Sequence, residues 1–300
     1  MTKKSFLIIT LILSQTFISY AQTLNTLRQQ IQQIVSSKNA TVGVAIIGNE
    51  GQDTLSINGE RQFPLQSVFK YHIALVVLAE IDQGKLTLNQ KIKIEKKDLL
   101  PNLYSPIRED YPNGTILTIS QIIAYTVSQS DNVGCDVLLR LIGGPEAVEK
   151  YFITHGFGDI SIKLNEEIQQ ANWDLQFQNW ITPIAANETL EKYYINKDKL
   201  LSEKSYNFIW KVMSETQTGA NRLKKQLPEN TKIAHKTGSS GTNADGLTAA
   251  VNDIGIIFLP NGKHFFISVF VTNSKENEAT NEKIIADISK MTWDYFSNTK

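Results

Sequence analysis

Three short motifs carry the residue types needed for nucleophilic acyl transfer. Ser67-Val68-Phe69-Lys70 is an S-x-x-K. At the start of a helix, residues three apart share a face. Lys70 can then reach the Ser67 hydroxyl, taking its proton when neutral or stabilising the alkoxide when charged, and Ser67 lies near the positive end of the helix dipole. Alone the motif is weak, because Ser297-Asn298-Thr299-Lys300 repeats it at the chain end. Ser130-Asp131-Asn132 is the second element. The looser S-x-N recurs at Ser56-Ile57-Asn58 and Ser205-Tyr206-Asn207, whereas S-D-N occurs once. It sits at an expected helix start, where such residues also serve as ordinary N-caps. In a site, Ser130 can relay a proton to a leaving nitrogen and Asn132 can hold an amide carbonyl. The third, Lys236-Thr237-Gly238, also occurs once. Lys236 supplies charge and Thr237 a hydroxyl for a substrate carboxylate. Gly238 lets a ligand approach the backbone, and the Ser239 amide paired with that of Ser67 can form an oxyanion hole.

Other chemistries lack their residues. The histidines His72, His155, His235 and His264 are scattered and form no metal-binding pattern, and no G-x-S-x-G elbow is present. Thirty basic and thirty acidic side chains cancel, which removes any global attraction to nucleic acid or anionic lipid. Lys91, Lys93, Lys96 and Lys97 are interrupted by Glu95 and Asp98 and read as a solvated surface. The single cysteine, Cys135, has no partner for an internal disulfide and reads as a small buried hydrophobe.

The elements that must position these residues follow from patterning. Lys3 and Lys4, the apolar run Ser5 to Ser19, and the small residues of Ser19-Tyr20-Ala21 form a signal peptide over 1–21. The expected mature protein starts at Gln22, periplasmic or secreted and monomeric. No Cys follows the cleavage site to carry a lipid anchor. Leu24, Leu27, Ile31 and Ile34 recur at helical spacing, and Thr41 to Ile47 reads as a strand covered on both faces. A weaker strand, Thr54 to Ile57, follows the turn residues Asn49 to Gly51. At the other end, Leu247 to Leu259 and His264 to Val271 read as strands joined by Pro260-Asn261-Gly262. A last helix presents Ile284, Ile288, Met291 and Tyr295, and Ile233-Ala234 leads Lys236 into an edge strand. The middle is helical: Ser67 to Ile81, Thr118 to Tyr125 behind a capping box, Asn132 to Ile142, Pro145 to Thr154, Pro183 to Tyr194, and Glu203 to Met213. The expected architecture is α/β (α+β): an antiparallel sheet flanked by helices, built from 22–66 and 214–300, with an all-helical domain over 67–213 inserted. The seam between the two is the expected place for a site.

The trio of motifs resembles the signature of class A β-lactamases and penicillin-binding proteins, and the likeness spans essentially the whole mature chain. Phe63-Pro64-Leu65-Gln66 before Ser67, and His235 before Lys236, look most like the VEB/PER-like extended-spectrum branch of class A. The resemblance implies hydrolysis of β-lactam antibiotics through a Ser67 acyl-enzyme, with Lys70, or Glu166 through water, as the acylating base. No metal or organic cofactor is implied. A carboxylate for the deacylating water is also implied. Aligning Leu164-Asn165 on the common E-x-x-L-N pattern places Ser161 where that Glu belongs, whereas an Asn-Glu pair of the VEB/PER kind selects Glu166 over Glu167. Gln170 stands where Asn or His is expected. Arg222 matches an extra carboxylate-binding arginine of this branch, and Tyr104 an aromatic at the cleft mouth. A D,D-peptidase that deacylates slowly, and a non-catalytic penicillin sensor, are the rival readings.

Overall fold

The structure, a computed structural model, describes residues 23–298. The expected signal peptide, its cleavage site and Thr299-Lys300 of the C-terminal S-x-x-K lie outside these residues. Among the described residues no helix is long and apolar enough to cross a membrane.

The chain opens with α1 (Leu24–Ser36), capped by the Thr23 side chain, followed by β1 (Thr41–Gly48) and β2 (Asp53–Ile57). After the two-residue β3 (Phe63–Pro64), a 3-10 turn over Gln66–Val68 runs into α2 (Phe69–Asp82). The central segment then supplies β4 (Lys91–Ile94), α3 (Pro106–Asp110), β5 (Thr115–Thr118) and α4 (Ile119–Ser128). It continues through α5 (Asn132–Ile142), α6 (Pro145–Thr154), β6 (Ile160–Ser161), α7 (Glu166–Ala171), β7 (Trp180–Ile181), α8 (Pro183–Ile195) and α9 (Glu203–Ser214). The end of the chain supplies β8 (Ile233–Ser239), β9 (Val251–Phe258), β10 (His264–Thr272) and α10 (Glu278–Asn298).

The main sheet has the order β2-β1-β10-β9-β8, every pair antiparallel. Both chain ends build it. The inner strands β1 and β10 read as near-continuous apolar runs because each face has its own core. Phe265, Ile267, Val269 and Val271 of β10 join Leu27, Ile31, Ile284 and Ile288 of α1 and α10. Phe266 and Phe270 face the other way, into the core shared with α2 and its neighbours. α2 is buried continuously from Phe69 to Ala79, so it runs through the protein interior.

Most of the expected helices appear within a residue or two of their patterns; α4 runs three residues past Tyr125, to Ser128. Thr118 and Gln121 form the capping box of α4, and Gly143 closes α5 in the left-handed conformation. Differences arise where pattern is short or side chains compete. β9 starts at Val251, because Asn243 Oδ1 accepts the Leu247 amide (2.8 Å), Ser240 Oγ accepts the Ala250 amide (2.8 Å), and Thr248 pairs with Ser274. The central segment also carries strands, the ribbon β4-β5 and the strands β6 and β7 that complete a small sheet with β3, too short for periodicity to reveal. α8 belongs to this segment by sequence yet lies on the sheet: Asn187 Nδ2 donates to Phe266 O (3.2 Å), and Ser268 Oγ donates to Asn187 Oδ1 (2.7 Å).

Close packing between α8, β3 and β1 rests on Gly43. A Cβ there would lie 2.3 Å from the Phe63 ring and 2.8 Å from Pro183 Cγ. The variant G43A is expected to lose about 1–3 kcal/mol of stability through overpacking, read as a lower midpoint in urea. An unchanged midpoint would contradict this packing.

Candidate active site

Ser67 sits in the 3-10 turn that opens α2, and the residue before it is strained. Gln66 has φ +46°, a region costly for a non-glycine residue and tolerated where surroundings enforce it. The enforcing contacts are visible. Leu65 N donates to Asn179 O (2.9 Å) and Val68 N to Leu65 O (3.2 Å). The buried Gln66 carboxamide donates to Gln176 Oε1 (2.7 Å) and accepts from Gln169 Nε2 (3.3 Å).

One helical turn on, the Lys70 ammonium is fully buried and surrounded by oxygens. Nζ lies 2.8 Å from Ser67 Oγ, 2.8 Å from Ser130 O and 2.8 Å from Glu166 Oε1, and it also contacts Asn132 Oδ1. An ammonium has three N–H donors, so four oxygens outnumber its protons. Ser67 is the one of the four whose oxygen carries a proton itself. The arrangement therefore places an exchangeable proton between a nucleophile and a base.

The Ser130 and Asn132 positions are fixed by Asp131. Its buried carboxylate caps α5 through the Gly134 amide (2.6 Å) and accepts from Ser105 Oγ and Ile107 N (2.7 Å each). Burial pushes its carboxyl up, and these bonds pull it back. Asn132 N donates to Tyr104 O (3.1 Å), which ties the Tyr104 loop to the same corner. Ser130 has φ +62°, and its hydroxyl accepts from Lys236 Nζ (2.9 Å).

β8 forms the opposite wall. It is an edge strand, as the Ile233-Ala234 pattern implies. Lys236 is fully buried, and its ammonium also donates to Thr237 O (2.9 Å). Burial, then the nearby Lys70 charge, pushes its proton affinity well below the ordinary lysine range; Asp253 is the largest charge opposing them. Gly238 also meets a packing constraint. A Cβ there would stand 2.6 Å from Leu65 O, so glycine is what lets β8 close on the nucleophile's turn. Asn252 Nδ2 stitches the same contact by donating to Pro64 O (2.8 Å) and Leu65 O (3.2 Å). Thr237 Oγ1 lies 2.6 Å from Thr218 Oγ1. Arg222 is buried, ion-paired to Glu282 (3.2 Å), bonded to the Gly238 and Asn252 carbonyls, and donating to Ser239 Oγ (2.7 Å).

Glu166 is the first residue of α7 and 1% exposed, whereas Glu167 faces solvent. Asp136 on α5 accepts from the Glu166 amide (2.8 Å) and the Glu167 amide (3.1 Å), satisfying the free N–H groups at the start of α7. Gln170 Nε2 lies 3.5 Å from Glu166 Oε2. Asn179 holds the rest of the loop: its amide reaches Leu164 O and Gln169 Oε1, and its Oδ1 takes the Lys163 and Leu164 amides.

Ser67, Tyr104, Ser130, Asn132, Arg222, Thr237 and Ser239 line one cleft together with Gln170, Thr218 and Gly219. Tyr104 is 55% exposed at its rim. Lys70, Glu166 and Lys236 are buried at the contacts described above. All the residues picked out by motif or resemblance thus converge on one region. Asp136, Gln169, Asn179, Asn252 and Asp253 were not singled out, since each is a lone polar residue whose partners lie elsewhere along the chain. Cys135 is buried and its thiol is pushed well up by burial.

Comparison with known proteins bears on the same chain. A family model described as the Beta-lactamase enzyme family matches residues 26–296. Beta-lactamase VEB-1 of Pseudomonas aeruginosa is 56% identical over 98% of this chain and 98% of its own length. Extended-spectrum beta-lactamase PER-1, also of Pseudomonas aeruginosa, is 43% identical over 90% of this chain and 87% of its own. Among solved structures, a beta-lactamase from Chitinophaga pinensis superposes with a TM-score of 0.88 at 48% identity, covering 90% of this chain and 99% of that one. TLA-1 extended-spectrum beta-lactamase superposes at 0.89 with 46% identity, covering 91% and 99%.

The Asp136 contact gives a pH-dependent stability. Burial, with the Glu166 charge adding to it against two amide bonds, raises this carboxyl from 3.8 to about 6. The fold therefore favours the protonated form, and this group's contribution to stability falls as pH rises from about 4 to 6. The variant D136N is expected to lose roughly 2 kcal/mol less than the parent between pH 4 and 6.5, measured by urea unfolding at both. Equal pH slopes in the two proteins would contradict it.

Proposed function

This chain belongs to the β-lactamase enzyme family, as a class A serine hydrolase acting on cyclic amides that resembles VEB-1 and PER-1, and from that premise we propose how its residues open and release a β-lactam. The reaction class is hydrolysis of β-lactam antibiotics, with resistance as its consequence. Ser67 Oγ attacks the lactam carbonyl while Lys70, or Glu166 through a water, takes its proton. The ring C–N bond breaks, and Ser130 passes a proton to the departing nitrogen. The observation that carries this reading is the Lys70 ammonium, 2.8 Å from both Ser67 Oγ and Glu166 Oε1. It joins the group that is acylated to the group that must free it.

Electrostatic stabilisation accompanies both steps. The amides of Ser67 and Ser239 hold the tetrahedral oxyanion; β8 being a sheet edge supports this, since the amides on its free side have no strand partner. Lys236, Thr237 and Arg222 receive the substrate carboxylate, and Asn132 holds the side-chain amide of the substrate. Glu166 then takes a proton from water as it attacks the acyl-enzyme, and Ser67 leaves with a proton. Gln170, its amide near Glu166 Oε2, helps place that water. Tyr104 borders the entrance. The extended-spectrum names of PER-1 and TLA-1 support oxyimino-cephalosporins among the substrates. The expected working form is a periplasmic or secreted monomer, freed from its leader near Ala21.

A D,D-peptidase reading requires a stable acyl-enzyme, and a buried carboxylate paired to Lys70 argues against one. The variant E166Q is expected to accumulate a covalent adduct on Ser67 when mixed with a cephalosporin, visible as added mass on the intact protein. Hydrolysis at the parent rate with no adduct would show that another group frees the enzyme.

A further inference from the structure

We infer that Asp253, acting with His235, is a positioning residue that locks the two halves of the substrate-carboxylate site, the Lys236-Thr237 strand and the Gly219–Arg222 turn, into one geometry. The inference rests on the proposed reading that Lys236, Thr237 and Arg222 bind that carboxylate.

Asp253 lies on β9 directly opposite Thr237 on β8, so the two side chains project from the same face of the sheet. His235, two residues before Thr237, shares that face. Its Nδ1 meets both oxygens of Asp253, at 2.9 and 3.1 Å. Room for the imidazole comes from Gly255, its partner on β9: a Cβ there would lie 2.7 Å from His235 Cβ and 2.6 Å from Ala234 O. The other half arrives from the loop before β8. Leu223 N donates to Asp253 Oδ2 (3.3 Å). Gly219 is held at φ +74°, where a Cβ would lie 2.4 Å from Thr237 Cγ2 and 3.6 Å from Asp253 Oδ2. Arg222 N closes that turn on Gly219 O (2.9 Å).

A single carboxylate, fully buried, therefore holds the residue before Lys236 and the residue after Arg222. A buried carboxylate without partners is costly, so its bonds fix the spacing between these segments instead of merely decorating it. Asp253 also lies near enough to the buried Lys236 ammonium to oppose the effects of burial and of Lys70 upon it. Neither Asp253 nor His235 lines the cleft. Their effect on the reaction passes through Lys236, Thr237 and Arg222.

The test compares a chromogenic cephalosporin carrying its free carboxylate with the methyl ester of the same compound, in the parent and in D253N. In the parent, the ester is expected to show the weaker kcat/KM. Equal values would overturn the carboxylate-site reading itself, and this proposal with it. In D253N, KM for the free acid is expected to rise roughly tenfold, the scale of one charge-assisted contact, with kcat within about twofold. The ester's kcat/KM is expected to stay near the parent's. Loss of activity on acid and ester alike, or no change on either, would overturn the positioning role. H235Q, which keeps the Asp253 charge, is read in the same way should D253N fail to fold. The same selective loss on the free acid, smaller in size, is expected, and an equal loss on both substrates would overturn the proposal.

Discussion

The buried ammonium of Lys70 is the constraint to which the rest of the site answers. A cation without water is tolerated where oxygens replace its hydration shell. Those oxygens come from three separate stretches of chain: Ser67 on the turn before α2, Ser130 and Asn132 at the start of α5, and Glu166 at the start of α7. Each stretch must be held where Lys70 needs it, and each has its own anchor. Asp131 fixes the start of α5, Asp136 the start of α7, and the amides of Gln66, Gln169 and Gln176 bind the nucleophile's turn to the Glu166 loop. The catalytic groups are thus the inner layer of a polar structure that continues outward through ordinary hydrogen bonds.

The sheet supplies the second wall by a different physical route. Backbone approach, made possible by glycine, brings β8 against the turn of Ser67 at Gly238. The second buried ammonium, Lys236, reaches across the seam to Ser130 Oγ. The two lysines therefore meet at Ser130, one through its backbone carbonyl and the other through its hydroxyl. Sheet residues from the chain end and helical residues from its middle are joined there. The left-handed conformation of Ser130 and that of Gln66 mark the places where backbone strain is held by this closure.

Much of this was legible in the sequence, for identifiable reasons. Ser67 and Lys70 are a helical turn apart, and Lys236 to Gly238 form one run of strand, so local spacing reports their geometry. The long strands β1, β9 and β10, together with α10, were readable because their apolar residues repeat over many positions. Glu166 needed the resemblance, since nothing local distinguishes it from Glu167; burial and the contact with Lys70 separate them in the fold. The roles of Asp136, Gln66 and Asp253 were invisible for a different reason. Each acts through one or two partners that only tertiary structure brings near, such as Gln66 and Gln176 across 110 positions. The packing constraint on Gly238 was likewise hidden, because the neighbour that requires glycine, Leu65, belongs to the other side of the seam.

The central claim is that Lys70 links the acylated group to the group that frees it, so the protein completes both halves of the reaction. The most direct test is rapid mixing of the purified protein with excess chromogenic cephalosporin, following product per mole of enzyme. Hydrolysis continuing far beyond one equivalent is the expected result. A burst of a single equivalent followed by a plateau would contradict the account, leaving a protein that is acylated at Ser67 but lacks the means of release.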